Sequence, residues 1–480
     1  MRRWSVGIAL GLSASLTGAA AFAQQPQPNA SAAAPTAPTA PTAPAAIVPP
    51  PEAPRELLEV TAGGLTAETV AARAGATSYT AAAADANLRG AAARVDAAWA
   101  AYLPRLTGSG KYTRLSNFTP PSFGGISFPL ILDNWLLAAN ITVPISDYFL
   151  RIGQSYSQAT HSRDALIYDA VAARAKSSSD GKVAFYTWLR ARGAVVVAVQ
   201  SLNDQKTHLN DAQNQFAAAN ASKADVLRAE TAVAAAELAV ERAKDLAELT
   251  EQQVRVAMHA DRDAILSPGE GLDSAPPAFQ GNMRQLETEA MAARYEVKSI
   301  DANARAARKQ VEVVDAAKYP TVTAFADGIY GSPNPRVFPA TSTWFPTWDA
   351  GAQVVWSPND YITAKPLTVN AEAQVNVLEA QRLSTRDGIE VEVMQMYQQV
   401  READFALDST KRQLESATEA YRVARQLFLY GRGTSTTLTD AETDLTRARL
   451  DELNARADAR IARVRLDHAI GRDVRPFARP

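Results

Sequence analysis

The chain has 480 residues, of which 47% are hydrophobic and 21% are charged, so it is long enough to bury a large core. Its formal net charge of −2 gives no electrostatic reason to expect nucleic acid as a partner. The absence of cysteine excludes disulfides, thiol catalysis, thiolate metal sites and a lipid-modified N-terminal cysteine.

The N-terminal residues have the pattern of a secretory signal peptide. Arg2 and Arg3 precede an apolar stretch from Trp4 to about Ala20, and Ala21-Phe22-Ala23 has the small-x-small pattern that a signal peptidase cleaves. We therefore predict a signal peptide over residues 1–23, cleaved near Ala23, that directs the chain across the inner membrane. The alternative, an uncleaved membrane anchor, is disfavoured because the apolar stretch is short and ends in the cleavage pattern.

Residues 24–60 are rich in proline and alanine, and their repeated Ala-Pro-Thr units favour extended polyproline II and cannot build a core. They predict a disordered tether. Beyond it, no stretch approaches the roughly 18 apolar residues that a transmembrane helix needs. If the mature chain enters a membrane, it has to do so through β-strands that close into a barrel.

Residues 61–260 predict a first structural unit. An alanine-rich helix from Leu65 to about Ala101 ends before Pro104, and a strand from Arg105 to Leu115 follows. After a loop rich in Pro, Gly and Phe comes a second strand, in which every second residue is apolar and shares one face: Trp135, Leu137, Ala139, Ile141 and Val143.

Very long helices follow these strands. From about Asp147 to Gln215, and from about Tyr361 to Leu429, no strong breaker occurs after the first turns, and a helix of that length spans roughly 100 Å. Each is followed by a shorter returning arm, so we expect each long helix to lie beside two shorter ones stacked end to end. Apolar residues in the returning arms recur at multiples of seven, which predicts coiled-coil packing: Val226, Val233, Val240 and Val254, with Leu438 and Leu445 in the second arm.

The second half of the chain repeats the first. Equivalent residues are separated by 216, 213 or 212 positions in three separate segments: Pro104 and Pro320, Trp135 and Trp348, Phe216 and Phe428. Such nearly equal offsets indicate a duplication. We therefore predict a second unit at residues 283–472, joined to the first by a linker at 261–282 and followed by a tail at 473–480. Pro104 and Pro320 mark equivalent junctions between helix and strand.

The predicted strands have the alternation of a membrane barrel. One face of each is apolar for nine or ten residues, and Trp135, Trp348 and Trp356 are the candidate aromatic girdle. The alternative is two ordinary hairpins in a soluble sandwich. Because closed barrels need about eight strands or more, four strands from one chain require other copies, and three copies would supply twelve.

The motifs of the second returning arm identify a family resemblance. Tyr430-Gly431-Arg432-Gly433-Thr434, followed by Leu438-Thr439-Asp440-Ala441-Glu442-Thr443, resembles the helical turn of TolC-type outer-membrane efflux proteins, as does the ordered duplication from about Leu65 to Gly471. The resemblance implies a mainly α fold with a small membrane β-barrel. Duplicated units of helix, two strands and a long helical hairpin would form a homotrimer with a twelve-stranded β-barrel and a periplasmic α-helical barrel.

The function that the resemblance implies is that of an outer-membrane exit duct in a tripartite efflux or type I secretion system. A periplasmic adaptor and an inner-membrane transporter would be its partners, together with outer-membrane lipid, and the chain would lie in the cell outer membrane with a long periplasmic part. No cofactor is implied. The sequence leaves the cargo open among drugs, metal ions and proteins.

The resemblance also implies a periplasmic gate. By position, Asp440 matches an acidic residue of the closed end, Asp225 matches an acid that helps keep that end shut, and Arg432 lies within one position of the family's arginine partner. Thr437 stands where a second gate acid is expected. Three copies of Asp440 on an axis would repel one another and attract cations, and a link to Arg432 could offset that repulsion. Alternatively, Asp440 is an exposed acid favoured by a helix N-terminus.

Three other classes of function are less consistent with the sequence. An enzyme is disfavoured because His161, His208, His259 and His468 show no metal-binding or catalytic spacing, and there is no phosphate loop or Gly-x-Ser-x-Gly motif. A soluble periplasmic coiled-coil structural or adaptor protein remains the alternative, although such a protein has no use for two apolar strand faces. A passive porin lacks long helical arms. No catalytic, cofactor-binding or metal-binding residue is predicted.

Overall fold

The computed structural model describes residues 59–117, 130–273, 276, 279 and 281–473. The predicted signal peptide, almost all of the predicted tether, residues 118–129 of the first strand-connecting loop and residues 474–480 of the tail lie outside this range.

Both halves of the chain contain the same main elements in the same order, and the first half has in addition a short helix between its second strand and its long helix. The first half consists of α1 (Ala67–Thr77), α2 (Tyr79–Ala100), β1 (Arg105–Arg114), β2 (Asp133–Val143), a short α3 (Ile145–Asp147), α4 (Gly153–Ala217) and α5 (Lys223–Ala257). The second half consists of α6 (Met283–Ala293), α7 (Tyr295–Asp315), β3 (Thr321–Ser332), β4 (Phe345–Val355), α8 (Pro358–Leu429) and α9 (Ser435–Ala469). The predicted duplicated, mainly helical architecture is confirmed.

The helices that precede the strands differ from the prediction. A single helix was expected in each half, but α1 and α2 are separated by Ser78, and α6 and α7 are separated at Arg294. These residues are 216 positions apart and have nearly the same extended backbone, with φ and ψ of −58° and 129° at Ser78 and −61° and 130° at Arg294. Ser78 caps α2, because its Oγ accepts a hydrogen bond from the Ala81 amide.

The break at Arg294 has a tertiary cause. The buried guanidinium donates to a Glu392 carboxylate oxygen at 2.5 Å and to Glu296 at 3.0 Å, and it also donates to the Ala469 carbonyl at 3.3 Å. Arg294 thereby joins the start of α7, the end of α9 and the middle of α8. Nothing in the local sequence signals such a break, because the stabilising partners lie about 100 and 175 residues away.

The beginnings of the two long helices are irregular at equivalent places. A π-helical segment, Tyr148–Ile152, precedes α4, and Pro366 lies within α8, 213 residues after Gly153 at the start of α4. Proline has no amide hydrogen and disrupts the local helical hydrogen bonding, while a π-bulge inserts an extra residue into a turn. Both features therefore disturb the regular helical hydrogen bonding just after the chain leaves the sheet.

The strands form one antiparallel sheet in the order β1-β2-β3-β4. Arg105 pairs with Thr142 in the first hairpin and Thr321 pairs with Val355 in the second, so the two hairpins have the same register. β2 and β3 join them, with Ile141 opposite Ala326. β1 and β4 are the outer strands of the sheet.

The helices pack in a row around α4. In the half of the molecule farther from the sheet, the order of packing is α5, α4, α9 and α8, while nearer the sheet α2 packs on α4, and α7 packs between α4 and α8. The heptad positions of the returning arms face these contacts, since Val226, Val240 and Val254 are buried, as are Leu438 and Leu445. This burial agrees with the predicted coiled-coil packing.

The largest buried side chains lie where α1, α4 and α5 meet. Phe185 and Trp188 of α4 pack with Val70 and Val254, and their ring centroids are 5.9 Å apart. Burying such a side chain contributes on the order of 2 kcal/mol. Among the described residues, none of the helices combines the length and apolar composition required of a bilayer-spanning helix.

Candidate functional site

One face of the sheet is apolar across all four strands. The register aligns Leu106 with Ile141, Ile141 with Ala326, and Ala326 with Ala350, and the rows on either side continue the pattern with apolar residues and glycines. In β2 the face is open, because Trp135, Leu137 and Ile141 are each about half exposed. A broad apolar face exposed in one chain is a surface that lipid or another protein covers.

The opposite face, here called the polar face, carries the polar side chains of the sheet beside apolar residues such as Leu136 and Phe325. The Asn140 amide donates to an Asp327 carboxylate oxygen at 2.6 Å across β2 and β3, and the Thr142 hydroxyl donates to Asn140 at 2.7 Å. On β4, Asp349 forms an ion pair with Arg336 at 2.5 Å. This face therefore has the hydrogen-bonding groups that a water-filled space requires.

Aromatic residues lie at both ends of the sheet. Trp135 packs on Tyr112 with ring centroids 4.5 Å apart, and Tyr330 packs on Trp344 at 4.9 Å, both near the strand-connecting loops. Trp348 lies on β4 and is 81% exposed. Trp356 follows the last residue of that strand, at the end of the sheet nearer the helices, and is 55% exposed. Sequence reasoning missed Tyr112, Tyr330 and Trp344, although their positions beside loops were the available signal.

The two predicted junction prolines immediately precede strands. Pro104 stands before β1 and Pro320 before β3, where the absence of an amide hydrogen is tolerated. The first junction is braced by the Tyr148 hydroxyl, which donates to the Tyr102 carbonyl at 3.0 Å. The second is braced by Ser146, whose Oγ accepts from the Val322 amide at 2.9 Å.

Asp225 is held within its own helix start. Its Oδ2 accepts hydrogen bonds from the Ser222 amide at 3.0 Å and the Ser222 hydroxyl at 2.6 Å, and its Oδ1 is 3.0 Å from an Arg228 guanidinium nitrogen. Together with the bond from the Asp225 amide to Ser222, this forms a capping box. The hydrogen bonds from Ser222 lower the pKa of Asp225, with a smaller contribution from Arg228.

Thr437 occupies the equivalent place at the start of α9. It lies 212 residues after Asp225, its amide donates to the Thr434 hydroxyl at 3.2 Å, and the two hydroxyls are 2.8 Å apart. The second turn therefore has threonine where the first has aspartate. The hydroxyl of Thr434 still caps the Thr437 amide, but the threonine adds no charge to this turn.

Asp440 and Arg432 are both exposed near the same turn. Asp440 lies in the second turn of α9, and Arg432 lies in the loop that precedes it. Within the described part of one chain, neither side chain forms an ion pair or hydrogen bond, so one copy does not contain the predicted link between Arg432 and a carboxylate. Both remain available to groups outside the chain.

A buried polar cluster lies beside this turn and was not predicted. His208 of α4 is 2% exposed, and its Nδ1 is 2.9 Å from Oε2 of Glu442, which is also 2% exposed. The His208 Nε2 is 3.3 Å from the Ser435 Oγ. The spacing of the histidines in the sequence predicted no site, because no local pattern signals a partner 234 residues away.

The sheet and the helical hairpins form a fold that several solved outer-membrane channels share. The fold is similar to the outer-membrane channel OprN (18% identity, 84% of this chain and 89% of that chain, TM-score 0.72). It is also similar to the outer membrane protein VceC from Vibrio cholerae, with 18% identity, 84% of this chain and 96% of that chain covered, and a TM-score of 0.71. The outer membrane channel CmeC of Campylobacter jejuni matches with 14% identity, 87% of each chain covered, and a TM-score of 0.71.

The family is established by sequence. The profile of the outer membrane efflux protein family matches residues 72–258 and 286–472, one match in each half. The chain belongs to the outer membrane efflux protein family. This membership confirms the prediction that it is not an enzyme. No individually curated protein matches it significantly.

Proposed function

We propose that three copies of this chain form the exit duct of a tripartite efflux or type I secretion system in the outer membrane. The observation that carries the proposal is the four-stranded sheet with one exposed apolar face, one polar face and two unpaired outer edges. The apolar face would contact outer-membrane lipid, and the polar face would line the channel. A predicted signal peptide, cleaved near Ala23, would deliver the chain to the periplasm.

The edges of the sheet favour a closed ring of copies. A strand edge presents unpaired amides and carbonyls, which have no hydrogen-bond partners in the hydrocarbon region unless another strand supplies them. If β4 of each copy pairs with β1 of the next, every edge is used and three copies give a twelve-stranded barrel. Such head-to-tail contacts generate a ring when the rotation closes.

The helical edges support the same arrangement. In the half farther from the sheet, α5 and α8 lie at the two ends of the row of packed helices, and both carry large apolar side chains that are exposed in a single chain. On α5 these are Leu227, Leu238, Leu246, Leu249 and Val256, and on this part of α8 they include Phe405, Val423, Leu427 and Leu429. Contact between α8 of one copy and α5 of the next would cover both sets.

The gate proposal concerns the far end of the helices. Asp440 is exposed and unpaired within the described chain, so three copies could bring their carboxylates close to a common axis, where they repel one another and attract cations. Arg432, exposed on the adjacent loop, could pair with a carboxylate of another copy. Asp225 has a smaller role in this proposal, because Ser222 occupies its Oδ2 and Arg228 occupies its Oδ1.

The proposed partners are supported by membership of the outer membrane efflux protein family. A duct that stops in the periplasm needs a periplasmic adaptor and an inner-membrane transporter, and the helical turns at residues 218–222 and 430–434 would be the end that meets them. Affinity purification of the full chain from membranes after mild cross-linking tests this. Recovery of an adaptor and a transporter is the expected outcome, and recovery of neither would contradict the tripartite assignment.

The ring is tested by engineered disulfides, which the cysteine-free chain makes unambiguous. A cysteine at Gln353 on β4 is combined with one at Thr107, Ser109 or Lys111 on β1, since the strand edges would meet only between copies. At least one pair should give covalent dimers and trimers, and no larger species, in the outer-membrane fraction. Single-cysteine variants are the controls. Recovery of the chain in the soluble periplasmic fraction, or a ladder beyond three copies, would overturn the proposal.

A further inference from the structure

The buried cluster at the start of α9 joins two helices through side chains that can share a proton. His208 comes from α4, and Ser435 and Glu442 come from α9. All three are almost completely buried, with exposures of 2%, 4% and 2%. The Phe428 ring of α8 contacts the His208 ring edge-to-face at 5.5 Å between centroids, so an apolar surface adjoins the imidazole.

The cluster brackets the proposed gate residue. Ser435 is the first residue of α9, Glu442 lies two turns further along, and Asp440 lies between them on the exposed side of the same helix. The two hydrogen bonds to His208 therefore fix the position of the turns that carry Thr437 and Asp440. Movement of α9 away from α4 would break both bonds.

The charges around the cluster are already paired. The Tyr421 hydroxyl of α8 stays neutral because burial raises its pKa to about 12, with further contributions from Asp204 and Glu442. The neighbouring ion pairs are Asp204 with Arg449, between α4 and α9; Asp211 with Arg425, between α4 and α8; Lys206 with Glu237, between α4 and α5; and Asp225 with Arg228, within α5.

The net charge of the His208–Glu442 pair consequently depends on its own protons. With one exchangeable proton between them, the pair is either imidazolium with carboxylate or imidazole with carboxylic acid, and both forms are neutral. Loss of that proton leaves a net negative charge in a buried site, which is unfavourable. Burial raises the pKa of the Glu442 carboxyl, against the opposing effect of its hydrogen bond with His208.

We propose that His208, Glu442 and Ser435 are positioning residues that hold α9 against α4 while the buried pair retains its exchangeable proton, and that loosen this contact when the proton is lost. The gate residue Asp440 moves with the helix that the cluster holds. The consequence for conduction rests on the proposed channel function, whereas the contact between the helices does not.

The duplication supplies a natural comparison, because only one half of the chain contains the cluster. Glu230 is the equivalent of Glu442 at the offset of 212, and it is exposed on α5. At the same offset His208 corresponds to Ala420, which is exposed and has no group that can share a proton. The proton-dependent contact therefore belongs to α9 alone, and α5 is an internal reference for the same measurement.

The direction of the pH dependence follows from the raised pKa of Glu442. A group that holds its proton more tightly in the packed state favours packing at low pH, and that contribution is lost as the pH rises through the packed-state pKa. Since the ordinary value for this carboxyl is 4.5, the loss occurs above that pH. We expect α9 to be held most firmly in mildly acidic solution.

Hydrogen exchange of the full chain in detergent, measured from pH 5 to pH 8.5 and corrected for the intrinsic chemical rate, tests the proposal. As the pH rises, the protection of residues 438–448 should fall relative to that of the equivalent residues of α5. The fall should be up to about tenfold for each unit by which the packed state raises the pKa of Glu442. Glu442→Gln, which keeps the shape but removes the titration, should abolish the pH dependence. Glu230→Gln is the matched control and should retain it.

Two results would overturn the proposal. One is an identical pH profile in the wild type and in Glu442→Gln, and the other is an equal loss of pH dependence in Glu230→Gln. His208→Gln provides a second variant, in which Glu442 still titrates but lacks the imidazole that opposes the rise of its pKa, so the loss of protection should shift to higher pH than in the wild type. Conductance in planar bilayers is measured in parallel. If exchange depends on pH and conductance does not, the link between this contact and gating is wrong, although the contact stands.

Discussion

Ala219 and Gly431 occupy equivalent positions in the two helical turns, and both have a left-handed backbone, with φ of +58° and +65°. They are 212 residues apart, and each follows the end of a long helix. The hydrogen bonds that close the turns also correspond, because the amides of Asn220 and Arg432 donate to the carbonyls of Gln215 and Leu427 at 2.8 and 2.9 Å. The second turn therefore has the residue that its backbone favours, and the first does not.

The first prediction follows from this difference. A left-handed conformation costs a residue with a Cβ about 1 kcal/mol or more, part of which is offset because glycine loses more entropy on folding. We expect Ala219→Gly to stabilise the turn by about 0.5 to 1 kcal/mol, which is about a two- to fivefold rise in hydrogen-exchange protection at the end of α4.

The control for this prediction lies one residue earlier. Ala218 has a φ of −82°, so glycine relieves no strain there, and Ala218→Gly should lower the protection. Gly431→Ala is the reverse substitution and should destabilise the second turn by a similar amount. An equal effect of glycine at positions 218 and 219 would contradict the explanation.

The sequence predicted most of the fold because its signals are local or repeated. Pro104, Pro320 and the alternating strands define the hairpins, and the offsets between the halves define the duplication. The breaks at Ser78 and Arg294 were missed for different reasons. Ser78 lies in a sequence that favours helix on both sides, whereas Arg294 is held out of the helical conformation by residues from other helices.

The second prediction concerns the two faces of β2. Leu137 is on the apolar face and 52% exposed, while Leu136 is on the polar face. In a barrel, lysine at position 137 would enter the lipid at a cost of roughly 2 to 4 kcal/mol near the membrane centre, and lysine at position 136 would enter the channel. Leu137→Lys should reduce the amount of assembled protein in the outer membrane far more than Leu136→Lys. Equal losses would argue against lipid contact.

The third prediction concerns the cap formed by Asp225. Asp225→Ala removes the bonds to the Ser222 amide and hydroxyl, so it should cost about 1 kcal/mol and lower the exchange protection of the first turn of α5 about fivefold. Thr437→Ala should cost less, because the Thr434 hydroxyl still caps its amide. A larger effect at position 437 would contradict the importance of the carboxylate.

The same cap has a defined pH dependence. The pKa of Asp225 is lowered by its hydrogen bonds with Ser222, so its stabilisation is present above the ordinary pKa of 3.8 and is lost as the pH falls through the lower packed-state value. Protection of the first turn of α5 should thus be constant from pH 5 to pH 8 and decline only in strong acid. A decline near neutral pH would be inconsistent with this assignment.

The fourth prediction concerns Arg294. Replacing a buried partner of carboxylates costs about 3 to 5 kcal/mol when the remaining charge is fully buried, but Glu296 and Glu392 are each 38% exposed and can be partly solvated. We expect Arg294→Ala to cost about 2 kcal/mol and to lower the thermal denaturation midpoint, because solvent screening reduces the penalty. Arg284→Ala, at an exposed position of α6, should change the midpoint little.

The functional residues were predictable only in part. Asp440, Arg432 and Thr437 belong to a contiguous motif, and the structure brings them to one helical turn. The cluster of His208, Ser435 and Glu442 could not be found from spacing, since it depends on the relative positions of α4 and α9. The link between Arg432 and a carboxylate is still a prediction, because it concerns contacts between copies.

The fifth prediction concerns the composition of the proposed gate. If Asp440 forms a ring of three carboxylates, Asp440→Asn should weaken block of the conductance by divalent cations, because three negative charges leave the axis. Thr437→Asp restores an acid one turn earlier and should strengthen the block, because the acid ring becomes double. Asp245→Asn, at an exposed site on α5 remote from the turn, is the matched control and should leave the block unchanged. Block that is unaffected by substitutions at positions 437 and 440 would remove this turn from the conduction path.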